Sequence, residues 1–186
     1  MSRFDILNSV LNGVYILNIK QLSDDRGFFE RLFCKEDFKD IGLKKEIVQI
    51  NRSCTKKVGS IRGMHYQQMP KSETKIIRCL KGEVLDVAVD LRENSPTFLK
   101  YHAEILSEYN NKIIVIPEGF AHGFQVLKED SELLYFHTEY YSPQADSGVR
   151  FDDPSLDIQW LLEPTEISLK DKNYKLIDEN FKGVII

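Results

Sequence analysis

The stretch RGMHYQQMPKSETK, residues 62–75, brings Arg62, His65 and Lys75 together in a chain with only four histidines. A neutral imidazole, with an unperturbed pKa of about 6.5, can take a proton at neutral pH. A nearby ammonium can hold the oxyanion that such a proton transfer leaves behind. Further on, IPEGFAHGF (residues 116–124) sets His122 after a turn made by Pro117 and Gly119, and ELLYF (132–136) carries Tyr135. Each of these residues also has a plain structural reading: a core histidine bonded to backbone, an exposed lysine, a packed strand aromatic.

Such side chains need elements to position them. Short runs rich in β-branched and aromatic residues follow one another with turn residues between: KIIRCL, VLDVAVDL, KYHAEIL, KIIVI, FQVL and ELLYFHTEYY. In VLDVAVDL the side chains alternate, with Leu85, Val87 and Val89 on one face and Asp86, Ala88 and Asp90 on the other. Strands at this spacing, without long helical patterns between them, predict an antiparallel sandwich or barrel rather than βαβ units. Helix is predicted only at the periphery, in KEDFKDIGL (35–43) and DKNYKLIDENF (171–181). No repeat or Pro/Gly/Ser-rich linker divides residues 1–186, so the expectation is one domain. A small barrel encloses room for a ligand, and polar residues that alternate onto its inner face then have a use.

The pattern Pro117-x-Gly119-x-x-His122 resembles the second motif of cupin barrels, whose histidine points inward. The first cupin motif requires an HxH pair and a carboxylate, but the corresponding place reads His65, Tyr66, Gln67, and Val126 stands where asparagine is usual. With those ligands missing, a tightly held transition metal is not expected. Histidines on such a scaffold are free to do proton chemistry themselves. The blocks DDRGFFERLF, VQINRSCTKKVGSIRGMHYQ, KIIRCLKGEVLDVAVDLRENSPTF, IPEGFAHGFQVL and ELLYFHTEYYSPQADSGVRFDDPSLDIQW then run in order from about residue 24 to 160, followed by a looser SLKDK. Together they resemble the dTDP-4-dehydrorhamnose 3,5-epimerase family of metal-free cupins.

The resemblance implies an all-β fold, a cupin-type antiparallel β-barrel (jelly roll) with a few peripheral helices. It also implies an epimerase of a nucleotide diphosphate-linked 4-keto-6-deoxy sugar that needs no cofactor, because the C–H bonds at C3 and C5 are acidified by the sugar's own carbonyl. By matching position, His65 resembles the base, Asp171 its orienting carboxylate, Lys75 the enolate stabiliser and Tyr135 the acid on the opposite face of the ring. Arg26, Glu30, Gln49, Asn51, Arg62, His122 and Tyr141 match positions that contact the sugar nucleotide. The resemblance further implies a homodimer that shares its N-terminal strands, so that DDRGFFE serves the other subunit. Single-centre relatives and relatives acting on GDP-linked 4-keto sugars keep a C3-only or C5-only reaction open.

Two rivals remain. A sugar-nucleotide-binding cupin without catalysis has no need of the His65–Lys75–Tyr135 set, and a metal-dependent cupin requires the ligands lost at Tyr66, Gln67 and Val126. Composition narrows the field further. The 42% hydrophobic and 29% charged content is that of a globular protein, and a net charge of −4 gives no reason to expect a nucleic-acid partner. Three scattered cysteines argue against a disulfide framework. The N-terminal region, its apolar residues interrupted by Asp5 and Asn12, does not read as a signal peptide or membrane anchor, so a cytoplasmic location is expected.

Overall fold

The computed structural model describes residues 2–8 and 11–186, with the side chain of Asn8 also outside the description. Thirteen strands and two short helices follow one another: β1 (Phe4–Asn8), β2 (Tyr15–Ile19), β3 (Leu22–Asp24), β4 (Gly27–Phe29), α1 (Lys35–Lys39), β5 (Gln49–Thr55), β6 (Ile61–Gln67), β7 (Lys75–Lys81), β8 (Glu83–Asp90), β9 (Tyr101–Ser107), β10 (Lys112–Ile116), β11 (Phe120–Val126), β12 (Ser131–His137), β13 (Asp146–Gly148) and α2 (Leu169–Lys172). Two antiparallel sheets face each other, one ordered β1-β2-β10-β7-β12-β5 and the other β13-β6-β11-β8-β9. A separate hairpin, β3–β4, stands apart from both. This is the antiparallel sandwich expected from the strand pattern, in the jelly-roll form that the resemblance implied.

The alternation of β8 decides how the layers pack. Val84 and Ala88 point between the sheets, where they meet Ile77, Ile114, Leu133 and Phe124. Leu85, Val87 and Val89 point outward, yet they are covered by Met64, Tyr66, Val149 and Leu156, with Trp160, Ile177 and Phe181 against them. The strand is therefore buried on both faces, and each fully buried aliphatic side chain contributes about 1.5–3 kcal/mol. A third cluster, of Phe4, Leu17, Phe38, Ile76, Ile113 and Phe136, coats the outer face of the first sheet. It uses Phe38 of α1, the first predicted helix, which ends earlier than its pattern suggested.

The second predicted helix fails beyond its first turn. Only Leu169–Lys172 is helical, and Asn173 closes it by donating its N–H to Leu169 and Lys170. Ile177, Phe181 and Val184 gain more by lying along the outer face of β8 than a short isolated helix would return. The chain after α2 is thus a strap pinned to the barrel.

Candidate active site

Between the sheets lies a cavity of about 870 Å³. The first sheet lines it with Asn51 and Ser53 from β5, Lys75 from β7, and Tyr135 and His137 from β12. The second contributes Arg62 and His65 from β6 and His122 from β11, and the third side is residues 165–172, which lead into and form α2. Cross-strand register explains the grouping on the first sheet, because Tyr135 pairs with Asn51 and His137 with Lys75.

Arg62 and His65 are three residues apart, and in a regular strand they would face opposite ways. A bulge removes the conflict. His65 pairs with His122 and Arg62 with Phe124, so β6 carries one residue more than β11 between those pairs. The extra length falls at Gly63, whose φ of +135° and approach to Gly123 leave no room for a Cβ, which would lie 2.4 Å from the Gly123 Cα. Both side chains thereby reach one cavity.

His65 Nε2 lies 2.7 Å from Asp171 Oδ1, while Asp171 Oδ2 accepts from the Gly63 N–H at 3.3 Å. Asp171 arrives at the third position of α2, its own N–H bonded at 3.0 Å to the capping hydroxyl of Ser168. Burial alone would raise the Asp171 carboxyl, but the hydrogen bond from His65 and the donors Gly63 and Ser168 together hold it below the usual aspartate value. An ionised carboxylate only accepts, so the proton of neutral His65 sits on Nε2 and Nδ1 keeps its lone pair. The Tyr174 ring braces the imidazole edge-on at 6.1 Å.

Tyr135 stands in the other wall, its hydroxyl 3.1 Å from Ser53 Oγ. Burial pushes its pKa well above the ordinary tyrosine value, reinforced by the charge of Asp86 and opposed by the Ser53 hydrogen bond. It therefore holds its proton at neutral pH. Lys75 is 9% exposed and donates to the His65 carbonyl at 3.1 Å, with Glu73 Oε1 at 3.5 Å. Arg62 donates Nε–H to Thr55 Oγ1 at 2.8 Å, and its two terminal nitrogens have no partner among the described residues.

His122 is not the backbone-bonded core histidine of the plain reading. Its Nε2 lies 2.9 Å from Asp86 Oδ2, and its ring meets Tyr135 edge-on at 6.2 Å. Of the eleven residues named from the sequence, the cavity gathers His65, Lys75, Tyr135, Asp171, Asn51, Arg62 and His122. Gln49 and Tyr141 lie outside its wall, joined by a bond from the Tyr141 N–H to Gln49 Oε1 at 3.2 Å. Arg26 is at the tip of the β3–β4 hairpin and pairs with Asp24, and Glu30 accepts from Gln21 at 3.0 Å with buried Arg78 at 3.7 Å. Ser53, Glu73, Asp86 and His137 were not singled out. Only the register between strands brings them to the site, although Glu73 and His137 sit within two residues of Lys75 and Tyr135 in the chain.

Among the described residues no group of three or more His, Cys, Asp or Glu side chains is placed to hold a metal ion. A family model described as dTDP-4-dehydrorhamnose 3,5-epimerase matches residues 8–179. A protein of that name from Methanothermobacter thermautotrophicus is 40% identical over 97% of this chain and 98% of its own length. One from Shigella flexneri is 40% identical over 95% and 98%. A crystal structure of dTDP-6-deoxy-D-glucose-3,5-epimerase from Legionella pneumophila, in complex with dTDP-4-keto-L-rhamnose, superposes with a TM-score of 0.92 at 37% identity, covering 98% of this chain and 99% of that one.

Proposed function

The chain belongs to the dTDP-4-dehydrorhamnose 3,5-epimerase family, and from that premise we propose how its residues perform the epimerisation of C3 and C5 in a dTDP-linked 4-keto-6-deoxy sugar. The observation that carries the assignment is the opposition of His65, on the second sheet and bonded to Asp171 of α2, to Tyr135 on the first, with Lys75 beside them. His65 Nδ1 takes the proton α to the keto group from one face of the ring. The electron pair moves into the C4–O bond, and the Lys75 ammonium holds the resulting enolate oxygen. Tyr135 returns a proton to the same carbon from the opposite face, which inverts the centre; Tyr135 is then reprotonated from solvent and His65 gives its proton up to solvent. Repetition at the second carbon completes the double inversion. The sugar's carbonyl serves as the electron sink throughout.

Arg62, with its terminal nitrogens unpartnered, suits the diphosphate, and Asn51 and His122 contact the substrate along the wall. Arg26 and Glu30 sit on or beside a hairpin whose Leu22, Phe28 and Phe29 are 48%, 64% and 62% exposed. β5 is an unpaired sheet edge carrying exposed Val48 and Ile50 nearby. Bare apolar surface beside an open edge supports a homodimer in which the hairpin crosses to the neighbouring subunit. Arg26 of the partner subunit then reaches this cavity, with Gln49 and Tyr141 at its rim. Among the described residues no helix is long and apolar enough to cross a membrane, and a cytoplasmic enzyme is the reading we favour.

Incubation with dTDP-4-keto-6-deoxyglucose in D₂O tests the assignment. Deuterium is expected at both C3 and C5 by NMR, with loss of roughly 10²–10⁴-fold in His65→Ala. Label at C3 alone would make this a single-centre enzyme. Binding without label would leave a non-catalytic module.

A further inference from the structure

A third imidazole–carboxylate contact lies on the first sheet, beside the acid and the enolate-stabilising lysine. His137 Nδ1 is 2.7 Å from Glu73 Oε2, and the other Glu73 oxygen is 3.5 Å from Lys75 Nζ. The three side chains are 12%, 9% and 11% exposed. Glu73 and Lys75, two apart in extended chain, point the same way, and His137 stands opposite Lys75 in the β12–β7 register. Thr138 closes the ladder beyond β7 by accepting from the Thr74 N–H at 2.8 Å, which fixes the backbone that carries Glu73.

Burial would raise the Glu73 carboxyl, but the hydrogen bond from His137 and the charge of Lys75 outweigh it and hold it below the usual glutamate value. The carboxylate is therefore an acceptor only, and His137 carries its proton on Nδ1. Its bare Nε2 then receives the Asn51 amide at 3.3 Å. The ring also stacks on Tyr135, centroids 6.0 Å apart and planes 20° from parallel.

We infer that Glu73 and His137 form a positioning pair that aims the Lys75 ammonium at the substrate oxygen, with His137 engaging one carboxylate oxygen so that Glu73 cannot close on Lys75 with both. This rests on the role given to Lys75 above. A lysine has a flexible four-carbon stem and about 2 kcal/mol of rotamer freedom. A nearly buried ammonium also needs a counter-charge to remain charged. Glu73 at 3.5 Å supplies that charge in a loose pairing, and the His65 carbonyl fixes the direction. Free N–H groups are left to follow the oxygen as it becomes negative. With His137 replaced by an apolar ring, the freed carboxylate oxygen turns to Lys75 and competes with the substrate.

The test is a set of double-mutant cycles read in kcat, KM and deuterium uptake on dTDP-4-keto-6-deoxyglucose. Glu73→Gln and His137→Phe are each expected to lower kcat by roughly 10- to 100-fold with KM within about threefold. In a Lys75→Ala background, already slow, neither is expected to lower kcat further. Equal losses in both backgrounds would overturn the inference, because the pair would then act without Lys75. A change confined to KM would also overturn it and make His137 a substrate contact. If Glu73→Gln fails to fold, the His137→Phe cycle decides alone, since that variant keeps the ring stacked on Tyr135. No label from the wild-type enzyme would instead refute the epimerase reading itself.

Discussion

His65–Asp171 and His122–Asp86 are imidazole–carboxylate pairs whose rings line one cavity, bonded at 2.7 and 2.9 Å. The His65 side chain is 34% exposed and its partner is carried in on α2, whereas His122 is 7% exposed and Asp86, fully buried, comes from the adjoining strand β8. Both Asp171 oxygens have partners, while Asp86 Oδ1 has none among the described residues. The contrast teaches that the motif by itself assigns no role. Access to the ring and satisfaction of the carboxylate separate the ring proposed as the base from one that shapes the wall. Asp86 still acts at a distance, because its charge helps keep Tyr135 protonated.

The largest expected effect tests the first pair. Asp171→Asn keeps the shape, but the amide can donate to His65 Nε2, and the imidazole proton then moves to Nδ1, where a base needs a lone pair. A loss of roughly 10²–10⁴-fold in kcat with little change in KM is expected from steady-state kinetics. A loss under tenfold would mean that Asp171 does not set the tautomer, and the distinction between the pairs would weaken.

Asp86→Asn sharpens the comparison from the other side. The amide still accepts from His122 but leaves buried N–H groups beside a position that already lacks a partner. That costs about 1–3 kcal/mol, at roughly 2–4 °C per kcal/mol in Tm for a chain of this size. On the proposed mechanism His122 takes no proton, so kcat is expected to change less than tenfold. A kinetic loss as deep as that of Asp171→Asn would reveal a second base and break the contrast.

What the sequence made legible follows the same division. The β alternation of VLDVAVDL and the run of short strands are local patterns, and they gave the sandwich. His65, Lys75 and Tyr135 stand in blocks distinctive enough to be matched, and the cavity holds all three. Asp171 was reached through a looser block, and the helix expected after it is one turn long, because Ile177 and Phe181 pack on the barrel instead. The bulge that brings Arg62 and His65 to one face, and the register that sets His137 against Lys75, depend on which strands lie side by side. Nothing in a one-dimensional pattern states that adjacency. Residues whose role arises across a strand pair, Glu73, Asp86 and Ser53 among them, stay silent until the sheet is formed.

The smallest expected effect concerns acid stability and rests on the Asp171 carboxyl being held below its ordinary value. A carboxyl whose folded pKa is depressed adds stability that is fully present above its unfolded pKa, about 3.9, and is lost as pH falls through the folded value. Denaturant unfolding of wild type and Asp171→Asn between pH 8 and 2.5 is therefore expected to show a gap that does not close until the pH drops below about 4. Over the range in which His65 is proposed to act as a base, Asp171 then stays ionised and keeps the proton on Nε2. A gap that closed near neutrality would place the Asp171 titration inside the working range. His65 would then lose its fixed tautomer there, and the physical difference between the two pairs would reduce to exposure alone.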